Sequence, residues 1–91
     1  MQFEWNPRKA EINLNKHGVS FKESVTVFND DLSVTFPDPD HSFGEMRYLT
    51  IGISKDNRLL VISHIDRDKR IRIISVRLAT KKERKFYESG F

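Results

Sequence analysis

A chain of 91 residues, 37% hydrophobic and 32% charged, fits one small domain and excludes two. It has no Cys, which rules out a disulfide framework, a Cys-ligated zinc and a thiol nucleophile and suits a reducing compartment. The formal charge is only +3, yet residues 1–45 carry four Lys/Arg against eight Asp/Glu while residues 46–91 carry twelve against five. That asymmetry suits a polyanion or an acidic protein partner, or else a plain solvated basic face.

A domain this short buries only ~60–65% of its unfolded surface, so a partner can supply part of its stability. Met1 to Trp5 shows no basic region leading into an apolar run, and nowhere does the chain approach the ~18 apolar residues of a membrane span. A soluble cytoplasmic protein without membrane contact is expected.

Phe3-Glu4-Trp5 reads as a short extended lead. Asn6-Pro7 then supplies a helix N-cap and first residue, and the helix runs through Ile12 and Leu14 to His17-Gly18, where glycine can close it in the left-handed region. Ser20-Phe21-Lys22-Glu23 has the spacing of a capping box, with Glu23 reaching back to the N-cap amide. A second helix with Phe21, Val25 and Phe28 on one face should follow and stop at Asn29-Asp30-Asp31.

From Leu32 the apolar period becomes two, predicting a strand through Val34 and Phe36. Pro37-Asp38-Pro39-Asp40-His41-Ser42-Phe43-Gly44 cannot continue a ladder and forms a loop long enough to be functional. Three strands follow, Arg47 to Ser54, Leu59 to Asp66 and Arg70 to Leu78, joined by short polar turns as antiparallel neighbours. The run Leu59 to Ile62 is apolar on both faces and belongs in mid-sheet. In the last strand the alternation slips at Ile73-Ile74, which calls for a bulge or for burial of both faces. Thr80-Lys81-Lys82-Glu83 is a second capping box, opening a short basic helix through Tyr87. The expected fold class is α+β: two helices, a four-stranded antiparallel meander with a possible extra N-terminal strand, and a C-terminal helix, the helices lying on one sheet face.

Metal chemistry finds little support. His17, His41 and His64 have no partner at ligand spacing, and Asp38-Pro39-Asp40-His41 reads better as a solvated turn. No nucleotide-binding glycine pattern is present. Guanidinium groups remain: Arg70 and Arg72 share a strand face, and Arg77 lies on the other unless a bulge realigns it. Their planar forks suit phosphate, with intramolecular pairing to Asp or Glu as the alternative. Arg77 has the stronger claim, next to Ser75 at the strand end and just before the basic helix.

Tyr87 is either an available aromatic or a rim residue. His17 either works chemically or caps its helix, and His64 reads as a satisfied core histidine. Glu45 could be a general base or pair with an arginine such as Arg77.

Phe3-Glu4-Trp5, the run N-L-N-K-H-G-V-S-F from Asn13 to Phe21, the D-P-D-H loop leading to Glu45-x-Arg47, Gly52, Arg72-Ile-Ile-Ser75-x-Arg77 and Glu83 to Glu88 together resemble the BrnT family of bacterial toxins. The resemblance spans nearly the whole chain in order. It implies a RelE-like fold and a type II toxin that cleaves RNA and blocks translation until neutralised by a BrnA-like antitoxin of ribbon-helix-helix type, the pair repressing its own operon through operator DNA. The chain departs from the family pattern at Asn6, where Asp is usual, at Val76, where Ala is usual, and at Leu78, where a basic residue often stands. Asn6 keeps a capping side chain, whereas Leu78 removes a charge near the presumed site.

A metal-free ribonuclease needs a base for the 2'-hydroxyl, a cation for the phosphate and an acid for the leaving 5'-oxygen. No cofactor is expected, and the products should be a 2',3'-cyclic phosphate and a 5'-hydroxyl. Under this implication Arg77 and Arg72 stabilise the phosphate, Lys16, His17 or Glu45 supply acid–base chemistry, and Tyr87 handles a proton or stacks on a base. Arg47, Arg67, Lys69, Arg70, Lys81, Lys82, Arg84 and Lys85 would hold the RNA. The rival readings are a nucleic-acid or antitoxin binding module without catalysis, and a structural subunit whose basic helix meets an acidic partner.

Overall fold

The computed structural model describes residues 1–42 and 44–90. In chain order it contains β1 (Gln2–Glu4), α1 (Pro7–His17), α2 (Phe21–Val27), β2 (Val34–Pro37), a 3-10 turn at Pro39–His41, β3 (Arg47–Ile53), β4 (Leu59–Arg67), β5 (Arg70–Leu78) and α3 (Lys81–Glu88). The strands form one mixed sheet in the order β1-β5-β4-β3-β2. The extended lead is thus a fifth strand, parallel to β5 with Phe3 opposite Ile71, while the other pairings are antiparallel. β4 takes the central place that its two apolar faces require.

Local chemistry sets the helix ends. The Asn6 side chain accepts from the amides of Arg8 and Lys9, at 2.9 and 3.2 Å. Gly18, at φ 70°, closes α1 by donating to the Leu14 carbonyl. In α2 only half of the expected capping box forms. Ser20 Oγ accepts from the Glu23 amide, but the Glu23 carboxylate turns inward to Ser54 Oγ at 2.7 Å and to the Arg58 guanidinium. A guanidinium and a hydroxyl outcompete the backbone amide, because a charge-assisted bond is the stronger one. At α3 the box is complete.

Both ends of β2 differ from the sequence reading, and β3, β4 and α3 end one residue away from it. Leu32 stays outside β2, 72% exposed, since the Asp30 carboxylate takes its amide and holds a turn. Pro37 ends β2 opposite Tyr48 rather than opening the loop, which an edge strand tolerates. Of the expected 37–44 loop, Phe43 lies outside the described residues.

The helices divide between the two faces of the sheet. Under α1 and α2 lies the main core, where Leu60, Ile62, Ile71, Ile73 and Val76 meet Val19, Phe21 and Val27. On this side an added Cβ at Gly52 would come within 2.7 Å of Val27 Cγ1 and 2.9 Å of Ser33 Cβ, so glycine lets β3 and α2 close up. His64 sits here, 1% exposed, with Nδ1 2.7 Å from Asp66 Oδ1 and Nε2 2.7 Å from Thr50 Oγ1. It is the satisfied core histidine the sequence suggests, and burial pushes its pKa down against the pull of Asp66. The smaller cluster, Ile51, Leu59 and Val61 with Phe36, Ala79 and Tyr87, occupies the opposite face. α3 therefore packs across the sheet from α1 and α2, not beside them.

Candidate functional site

The slip in β5 is a bulge: Ser75 pairs with Ser63 and Ile73 with His64, leaving Ile74 as the extra residue. Ile71, Ile73 and Val76 can then all face the main core. On the other face this puts Arg70, Arg72, Ser75 and Arg77 in phase. Two ladders cross that face beside α3. One runs Arg47, Ile65, Arg72, Glu4 and the next Leu49, Ser63, Ser75; Arg77 follows opposite Val61.

Carboxylates occupy most of these guanidiniums. Arg77 donates through Nη1 and Nη2 to Glu83 at 2.7 and 2.9 Å. Those bonds hold the Glu83 carboxyl at about 2 against the opposing effect of burial. Arg72 Nη1 donates to Glu4 at 2.9 Å and Arg70 to the other Glu4 oxygen at 3.4 Å, and the bond from Arg72 is the first cause that lowers the Glu4 pKa. Arg67 makes a bidentate pair with Glu45 at 2.8 and 2.6 Å. Glu45 thus pairs with Arg67 and not with Arg77. Among the described residues Arg47 is the one strand arginine without an ion pair. Intramolecular pairing therefore prevails in the free chain, but on a wet face. Arg77 is 41% exposed in its pair, and ion pairs open to water contribute little, so a phosphate can displace them.

The other candidates fall into three places. Arg67, Lys69 and Arg70 border one depression with Gln2 and Glu4 at the β4–β5 hairpin. Lys81, Lys82, Arg84 and Lys85 are exposed on α3, beyond the far end of β5, a strand of nine residues that spans roughly 25 Å. Lys16 and His17 line a groove between α1 and the bulge, with Ile74 and Ser75 forming its other wall. Arg72, Ser75 and Arg77 lie along β5 between the two basic clusters, with the groove at its edge.

The Tyr87 hydroxyl donates to Asp30 Oδ2 at 2.6 Å. Burial and then the nearby carboxylate push the phenol up to about 12, while Asp30 also accepts the amides of Leu32 and Ile53. The phenol thus ties α3 to the end of α2. Replacing Tyr87 by Phe keeps the ring and removes this bond, with an expected loss of about 1–2 kcal/mol in urea unfolding.

Two contributors escape the sequence pattern. Asn13 is buried between the more exposed Ile12 and Leu14. Its amide accepts from Val76 N at 3.1 Å and donates to Val76 O at 2.9 Å and Val19 O at 3.0 Å, standing in for a neighbouring strand where β1 has ended. Glu83 is visible as a capping residue, but nothing in its spacing shows that it also holds Arg77.

Among the described residues no group of three or more His, Asp or Glu is placed to hold a metal ion, and no helix is long and apolar enough to cross a membrane. Asp38 and His41 form a local turn contact at 2.9 Å. No curated protein matches the chain. Its backbone is similar to the 1.1 Å crystal structure of the Brucella abortus ribonuclease toxin BrnT, with a TM-score of 0.70 over 89% of this chain and 99% of that one. Sequence identity is 20%, so this likeness is one of fold. Residues 5–83 match the family model described as ribonuclease toxin, BrnT, of type II toxin-antitoxin system. With that match over most of its length, the chain belongs to the BrnT family of ribonuclease toxins.

Proposed function

We propose that the chain is a cytoplasmic endoribonuclease that works without a metal ion, cleaving RNA by attack of a 2'-hydroxyl on the neighbouring phosphate and so blocking translation. The observation that carries this reading is the bulge-set phasing of Arg72 and Arg77 on one open sheet face. The two guanidiniums leave Glu4 and Glu83 to take the charge that builds on the phosphorus oxygens. Lys16 and His17, in the groove at the β5 edge, are acid–base candidates, as is Glu45, which is held by Arg67 at the hairpin and feels the charge of Arg72. Tyr87, its proton engaged by Asp30, serves better as a surface on which a base stacks. Arg47 and the hairpin and α3 cations would carry flanking phosphates.

A ribbon-helix-helix antitoxin would silence the toxin, and the complex would bind operator DNA.

The existing ion pairs of Arg77, Arg72 and Arg67 favour a second reading, in which these arginines are structural anchors of a binding module. Incubation of purified protein with single-stranded RNA in EDTA separates the two. Fragments ending in 2',3'-cyclic phosphate and 5'-hydroxyl are expected. Salt-sensitive retention of intact RNA would establish the binder instead, and no affinity for RNA at all would defeat both.

A further inference from the structure

We infer that the hydroxyls of Ser75 and Ser63 form the seat of the bound phosphate, donating to its non-bridging oxygens between Arg72 and Arg77. The inference rests on the ribonuclease reading and deepens it by giving a positioning role to two uncharged residues, Ser75 within the Arg72–Arg77 motif and Ser63 outside it. Ser63 and Ser75 face each other across β4 and β5. The bulge at Ile74 puts Ser75 on the same face as the flanking arginines.

Neither hydroxyl makes a hydrogen bond among the described residues. Of the other serines only Ser33 shares this, while the side chains of Ser20, Ser24, Ser42, Ser54 and Ser89 bond to the protein. Two opposed hydroxyls in mid-sheet commonly bond to each other, so a pair left open within a rim of guanidinium groups has donors free for an anion. Around them stand Leu49, Ile65 and Val61, which offer an anion nothing polar. Ser75 also borders the groove lined by Lys16 and His17 at the β5 edge. The chemistry needed is that of a tetrahedral oxyanion: hydroxyl donors fix its orientation, and the guanidiniums supply the charge.

Ser75→Ala, Ser63→Ala, the double variant and Ser75→Thr test this, using a mixed-sequence single-stranded RNA and its uncleavable 2'-O-methyl analogue. Each alanine variant should bind the analogue about tenfold more weakly and lose a similar factor in kcat/KM, the double variant more, with unchanged thermal unfolding. Threonine keeps the hydroxyl and suits a strand, so Ser75→Thr should restore both. Alanine variants with wild-type affinity and kcat/KM, or a threonine variant no better than alanine, would overturn the inference. If the wild type binds the analogue yet leaves the RNA intact, the catalytic reading fails alone, and the serines are judged by the analogue affinities.

Discussion

Replacing Arg77 by alanine is expected to abolish growth inhibition and to slow RNA cleavage by about 100- to 1000-fold, the usual consequence of removing one preorganised donor from a developing oxyanion. The protein should stay folded. Arg77 and Glu83 pair at a wet surface, 41% and 24% exposed, and Glu83 keeps its second task of accepting the Thr80 amide at 2.9 Å. The variant should therefore retain α3 and lose only a pH-dependent increment. The Glu83 pKa falls from 4.5 to about 2 on folding, so its contribution is present above pH 4.5 and disappears as the pH drops towards 2. Without Arg77 that window narrows to what the Thr80 bonds sustain.

Arg77→Lys keeps the charge but not the fork that matches two oxygens, and it should rescue little. Cleavage of labelled RNA, alongside thermal unfolding, decides the matter. A soluble, folded Arg77→Ala that cleaves like the wild type would remove Arg77 from the mechanism.

That prediction draws on the part of the fold most legible in the sequence. The ends of α1 are written in Asn6-Pro7 and His17-Gly18, and the mid-sheet place of β4 in the two apolar faces of Leu59 to Ile62. The slip at Ile73-Ile74 was visible too, as a choice between a bulge and double burial. Only the bulge lets Arg77 join Arg72, and pairing register is a tertiary fact that one strand does not carry.

The partners of the charges were less legible. Glu23 and Glu83 occupy the same place in two like-spaced capping boxes, yet Arg58, 35 residues away, draws Glu23 out of its box, whereas Arg77, six residues from Glu83, binds it without taking it from the Thr80 amide. The face that α3 covers depends likewise on Tyr87 finding Asp30, 57 residues away. Asn13 gave no periodic signal, since it lies between two apolar residues that stay largely exposed.

The departure of Glu23 from its box leads to the largest stability effect expected. Glu23 is buried, 5% exposed, and its carboxylate is held by Arg58 and by Ser54 Oγ. The bond from Arg58 is the leading cause that lowers its pKa below the ordinary 4.5, with burial opposing. Arg58→Ala strands that charge. Removing one partner of a fully buried pair costs about 3–5 kcal/mol, and because Arg58 itself is partly exposed and water can reach the gap, about 2–4 kcal/mol is expected at pH 7.

The sign of the pH dependence separates this from a simple loss of packing. In the wild type the Glu23 contribution is intact above pH 4.5 and is lost as the pH falls through the lowered folded value. In Arg58→Ala the leading cause of that lowering is gone and burial is opposed only by the Ser54 bond and the Lys55 charge, so the folded value moves up and protonation on acidification relieves the strain. Urea unfolding of both proteins from pH 7 to pH 3 should therefore show the gap narrowing steadily, and adding Glu23→Gln to Arg58→Ala should recover much of the loss at pH 7. A gap that stays constant with pH, or a double variant no more stable than Arg58→Ala, would mean that the arginine stem is doing the stabilising and the buried charge is not.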